Sequence, residues 1–148
     1  MPLADWEWEY NGLIFGGDNV FGVVSVEGID PPPTKESIHS KTGAHGASAF
    51  VQFFQERRVI IEGDFIVTGS VEPHINTLRT AFAPRTDDLP LTYKLPGVNR
   101  RRINCRPLRL YVPVRSGYDL GWGTWLVELV AGDPAIYDDV TGLKIFDG

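Results

Sequence analysis

The sequence predicts a mainly β domain, a sandwich or split barrel with one α-helix packed on its flank. Three observations carry that prediction. Short stretches with period-2 alternation or β-branched apolar content recur along the chain, Gly, Pro, Asn and Asp clusters punctuate them, and only one stretch shows the 3.6-residue period of a helix. The 148 residues are 43% hydrophobic and 22% charged, with a mean hydropathy of −0.11, which suits one compact core. A single domain over residues 1–148 is therefore expected.

The elements follow in order. In "DWEWEY", Trp6, Trp8 and Tyr10 alternate with Asp5, Glu7 and Glu9, the signature of a half-buried strand. Asn11-Gly12 supplies a tight turn and "LIF" a second strand, so the chain opens on a hairpin. Gly16 to Asn19 break it. "FGVVSVEGI" is a third strand, stopped by "DPPP", whose prolines lack backbone donors. A further strand is expected from Thr34 to Ile38, and "HSKTGAHGASAF" reads as a surface loop with a role in contacts. "FVQFFQERRVIIEGDFIVTG" carries the densest β signal, with Gly63-Asp64 as the expected turn between two strands. "SVEPHINTLRTAF" is the helix: Ser70 offers a cap, Glu72 and Pro73 suit the first turn, and Ile75, Leu78 and Phe82 share one face. "LPLTYKL", the run through "RLYVPV" as one long or broken strand, and "GTWLVELVA" complete the sheet.

No run reaches the roughly 18 apolar residues of a membrane span, and "MPLADWEWEY" lacks a signal peptide's basic start and apolar centre. Residence in the cytosol is expected unless a larger assembly carries the protein out. The single Cys105 excludes an internal disulfide and Cys-based zinc, and is expected to be a buried structural thiol. His39, His45 and His74 show neither HxH nor HExxH spacing, so no metal or cofactor is expected. No G-x-S-x-G marks a nucleophile. Glu128, Asp133, Asp138 and Asp139 invite a carboxylate-pair hydrolase reading, yet Glu128 alternates within an apolar strand and Asp133-Pro134 is a strand-stopping turn. "GGDNVFG" lacks the Lys-Ser/Thr of a phosphate loop. No catalysis is expected.

The formal net charge is −5 and the pI near 5.1, against broad nucleic-acid binding. Six of the 14 cationic residues nevertheless fall between Arg100 and Arg115. A regular strand puts Arg100, Arg102, Asn104 and Arg106 on one face and Ile103 and Cys105 on the other. Three readings of that stripe compete: a solvated face, pairing with an acidic patch on a neighbouring subunit, or nucleic-acid contact. Trp6 and Trp8, close to the N-terminus, are weighed between core and subunit contact.

The ordered set "WEWEYNGLIFGG", "VVSVEGID", "RRVIIEGDFIV", the helix, "RPLRLYVPV" and "WLVELVAGDPAIYDD" resembles the N-terminal, tail-tube-like domain of siphophage distal tail proteins. Within that family it looks nearest the minor tail proteins of actinobacteriophages. The resemblance implies a ring of six copies in the virion's tail tip, assembled in the host cytoplasm, joining the tail tube to the baseplate or tip hub. It further implies tube, tape-measure, hub and receptor-binding proteins as partners, with DNA crossing the lumen without specific binding. Many members carry a second, galectin-like domain, for which this sequence leaves no room. Alternatives are another ring protein of the same fold (tube, terminator or hub) and a nucleic-acid-binding β-domain. The interface residues expected are Trp6, Trp8, Lys41, His45, Phe50, Arg100, Arg101, Arg102 and Arg106.

Overall fold

The computed structural model describes residues 3–30, 34–35, 38–40, 47–49, 53–54 and 56–146. Its strands are β1 (Glu7–Tyr10), β2 (Leu13–Gly16), β3 (Phe21–Glu27), β4 (Thr34–Lys35), β5 (Ile38–Ser40), β6 (Ala47–Ala49), β7 (Phe53–Phe54) and β8 (Arg57–Ile66). After the helix α1 (Glu72–Ala81) come β9 (Leu89–Tyr93), β10 (Arg101–Tyr111), β11 (Trp122–Ala131), β12 (Ile136–Asp138) and β13 (Lys144–Phe146). The expected class holds: the chain is mainly β, and among the described residues α1 is the only α-helix.

The main sheet is open and antiparallel, in the order β2-β1-β9-β10-β11-β8-β3. Strand β10 joins its two halves. Arg101 to Cys105 pair with β9, whereas Arg106 to Tyr111 pair with β11, and β12 takes the remaining edge at Arg101 and Arg102. A register shift between Pro107 and Arg109 marks a bulge, which accommodates a proline inside a long strand. The halves fold over one core. Phe15 of β2 meets Trp125 of β11 edge to face, with ring centroids 5.5 Å apart, and Phe82 after α1 stacks on Tyr10 at 5.3 Å. Ile75 and Leu78 put the buried face of α1 on the same cluster, as their spacing predicts. Each such side chain contributes roughly 1.5–3 kcal/mol by burial, which is what holds the open sheet closed around them.

Several local expectations are corrected. Gly63-Asp64 is no turn: β8 runs unbroken from Arg57 to Ile66 and pairs along its whole length with β11. Gly63 is needed because a Cβ there would lie 2.0 Å from the Gly22 carbonyl oxygen and 2.5 Å from the Trp125 ring. Ser70 does not cap the helix; Val71 occupies that position without a side-chain bond, and the first turn is tied down by Tyr118, whose hydroxyl donates to Glu72. Trp6 leaves the alternation of β1. With φ at +68° it belongs to a turn closed by the bond from Glu7 N to the Ala4 oxygen, 3.2 Å, so that only Trp8 and Tyr10 point into the core. The Asn11-Gly12 turn is as expected, with both residues at positive φ and Tyr10 paired to Leu13. The β12–β13 hairpin was not anticipated, because its turn is built by one side chain rather than by Gly or Pro alone. Asp138 Oδ1 accepts from the amides of Val140 at 2.8 Å and Thr141 at 3.0 Å.

Candidate functional site

Two surface features collect the residues singled out in the sequence: a cleft at the split of the barrel, and the arginine face of β10. The cleft lies between β3 and the residues at the start of β1, with the turn after β2 at its rim. It measures about 640 Å³ and is lined by Trp6, Trp8, Gly17, Asp18, Val23, Val24, Ser25, Val26, Ile29 and Leu95. Its base is fixed electrostatically. Asn19 donates through Nδ2 to Glu7 at 2.7 Å and to the Gly16 oxygen at 2.8 Å, and the Ala4 amide donates to the same carboxylate at 2.7 Å. The Ala4 amide first, and Asn19 second, hold the Glu7 carboxyl below its usual range.

Of the two tryptophans expected at an interface, only Trp6 is available, at 60% exposure. Trp8 is removed from the set: it is buried and stacks on Tyr93 with centroids 4.7 Å apart. Its ring therefore serves the core and meets the surface only as a floor of the cleft. Lys41, His45 and Phe50 lie outside the described residues. The stretches flanking them, β4 with β7 and β5 with β6, form two-stranded ribbons that, among the described residues, pair with no strand of the main sheet.

The arginine face has the predicted alternation, with Ile103 and Cys105 buried and Arg102, Asn104 and Arg106 half-buried on the other side. Its charge is answered within the chain. Arg100 Nε donates to Asp139 at 2.5 Å, Arg102 reaches the other oxygen of Asp139 at 3.3 Å, and Arg106 donates to Asp88 at 3.1 Å. Arg102 also lies over the Tyr137 ring, 5.0 Å from its centroid. Arg101 begins β10 opposite Tyr93 and Asp138. The acids that pair this stripe are thus in the same subunit, and sequence order hid them because Asp88 and Asp139 stand 18 and 37 residues from the arginines they meet.

The carboxylates weighed for hydrolysis are likewise engaged. Glu128 pairs with Arg58 at 3.1 Å, and Asp133 accepts from the Ala135 amide at 3.0 Å and the Tyr137 hydroxyl at 2.6 Å. That hydroxyl is shifted up, chiefly because it donates to Asp133. Asp138 is held low by the Thr141 amide and then by Asn99. "WLVELVAGDPAIYDD" is a strand and its terminating turn, followed by β12. Cys105 is fully buried, and burial pushes its thiol up to about 12, so it is a structural thiol. One buried cation escaped the sequence reading. Arg57 donates through Nε to the Pro134 oxygen at 2.7 Å and through Nη1 to the carbonyls of Gly28, at 2.6 Å, and Asp30, tying the end of β3 to the β11–β12 turn.

No family model matches the sequence, and no curated protein does. A solved structure does match: that of the SPP1 Dit (gp 19.1) protein, described as a paradigm of the hub adsorption apparatus in phages infecting Gram-positive bacteria. It aligns with a TM-score of 0.68 over 89% of this chain, at 17% identity. The chain has a Dit-like fold. It spans 51% of the length of SPP1 Dit, about half. At that identity the Dit-like fold is what is shared, and the roles of individual residues rest on their own geometry.

Proposed function

We propose that this chain is a structural, non-enzymatic ring component of a phage tail tip. Six copies close a ring that joins the tail tube to the baseplate or tip hub, beside tape-measure and receptor-binding proteins, and DNA passes through its lumen without specific binding. The ring belongs to the virion and is assembled in the host cytoplasm. Here the chain is a single tail-tube-like domain.

The observation that carries this reading is the Dit-like fold extending over 89% of the chain. Three further features agree with it. Carboxylates that would signal chemistry are engaged in turns and ion pairs, the net charge of −5 opposes retention of DNA by its phosphates, and apolar residues are exposed at the split of the barrel. A nucleic-acid-binding domain is less favoured, since Arg100, Arg102 and Arg106 already face Asp139 and Asp88.

Native mass spectrometry at rising protein concentration, with negative-stain images of the same samples, tests the proposal. Closed six-membered rings are the expected result. Other closed ring sizes would favour a different ring protein of this fold, and salt-sensitive binding of DNA by a chain that stays monomeric would overturn the ring reading.

A further inference from the structure

A closed ring requires a head-to-tail contact between two unlike surfaces of one chain. From its two unpaired sheet edges we infer which surfaces these are: the β13 edge of one copy adds as a strand to the β3 edge of the next, seating Leu143 and Ile145 in the cleft beside Trp6 and Val24. This deepens the ring reading and rests on it.

The two edges have complementary needs. Among the described residues β3 ends the main sheet and pairs only with β8; β2 comes close to it at Gly16 and Val23 without pairing, and from Val23 to Val26 β3 lines the cleft with no strand hydrogen-bonded to its outer edge. The register shift between Val23 and Ser25 turns Val24 outward to 68% exposure, and Trp6 stands on the opposite wall at 60%. An apolar cleft beside an open strand edge recognises extended backbone with apolar side chains at alternate positions. Strand β13 supplies that pattern. Among the described residues it pairs only with β12, and Leu143 and Ile145, two residues apart, are 68% and 36% exposed. Its turn is already fixed by the Asp138 carboxylate, so little ordering remains for docking.

The β3 and β13 edges are separate places in the strand order. From β2 the hydrogen-bonded path to β13 crosses β1, β9, β10 and β12. At about 4.8 Å per strand spacing, β2 and β13 stand roughly 24 Å apart measured along the curved sheet.

Two variants test this. Leu143→Glu/Ile145→Glu spoils the docking strand, and Trp6→Ala/Val24→Glu spoils the cleft; all four side chains are exposed, and unchanged melting curves will confirm folding. Each variant alone is expected to stay monomeric by native mass spectrometry where the wild type forms rings. An equimolar mixture is expected to stop at mixed dimers, because one intact strand meets one intact cleft and no further contact remains. Rings from either variant alone would overturn the assignment and leave the ring reading standing. If the wild type itself stays monomeric, the ring reading fails first, and a synthetic peptide of residues 140–148 decides the contact. Saturable change in tryptophan emission, lost in Val24→Glu, which keeps Trp6, upholds strand addition; no saturable change at millimolar peptide overturns it.

Discussion

A methyl group added to Gly63 would overlap both the Gly22 carbonyl and the Trp125 ring, so the residue sets how closely β3, β8 and β11 approach. Gly63→Ala is expected to lower unfolding stability by about 3 kcal/mol, as overpacking beside backbone does, and urea denaturation will show it. Cys105 makes a pH-dependent prediction. Its folded thiol is raised to about 12, while an unfolded cysteine ionises near pH 8.5. Stability tied to the neutral thiol is complete below that lower value and falls as pH rises toward the higher one. Between about pH 8.5 and 10, before unfolded tyrosines ionise, stability should decline with a slope that Cys105→Val removes. Equilibrium unfolding at a series of pH values measures it.

At the scale of elements, the start of α1 separates two accounts of helix capping. Ser70→Ala is expected to change stability by less than about 0.5 kcal/mol, because no cap bond is lost, whereas a serving N-cap serine costs about 1. Tyr118→Phe is expected to cost more than Ser70→Ala, since its hydroxyl anchors Glu72 and through it Arg79. Thermal melts of both variants settle the order. Strand β10 answers in the same way. Arg102→Glu places a carboxylate beside Asp139 and removes the cation over Tyr137, so it should destabilise the monomer by about 2 kcal/mol. Denaturant curves for Arg102→Glu and for Arg102→Glu/Asp139→Lys will show rescue in the double variant if the pairing carries the effect.

For the whole molecule, a β-barrel left open between β2 and β3 keeps edges that a closed barrel would abolish. Solitary proteins blunt such edges; assembly proteins use them. The split with exposed Trp6 and Val24, and the β13 edge with exposed Leu143 and Ile145, are the edges we propose for addition of neighbours. Raising salt is expected to leave assembly largely intact, since the proposed contact is apolar and main-chain in character. Ring populations by native mass spectrometry after incubation at low and high ionic strength check this, and dissolution of the rings by salt would instead favour an ionic interface through the β10 arginines.

Alternation and punctuation in the sequence determined the mainly β class, the opening hairpin about Asn11-Gly12, the helix with its Ile75 and Leu78 face, and the strand-then-turn character of Trp125 to Asp139. These are legible because side-chain period and turn chemistry act between residues close in the chain. Tertiary structure alone decided that Gly63 is a close-approach glycine rather than a turn, since only the ring of Trp125, 62 positions later, distinguishes the two. It alone showed that Asp139 pairs with Arg100 and Arg102 and Asp88 with Arg106, and that Trp6 is exposed where Trp8 is buried. The edges proposed for assembly were hidden for the same reason: whether a strand has a second neighbour is a property of the folded sheet, which no local pattern of residues records.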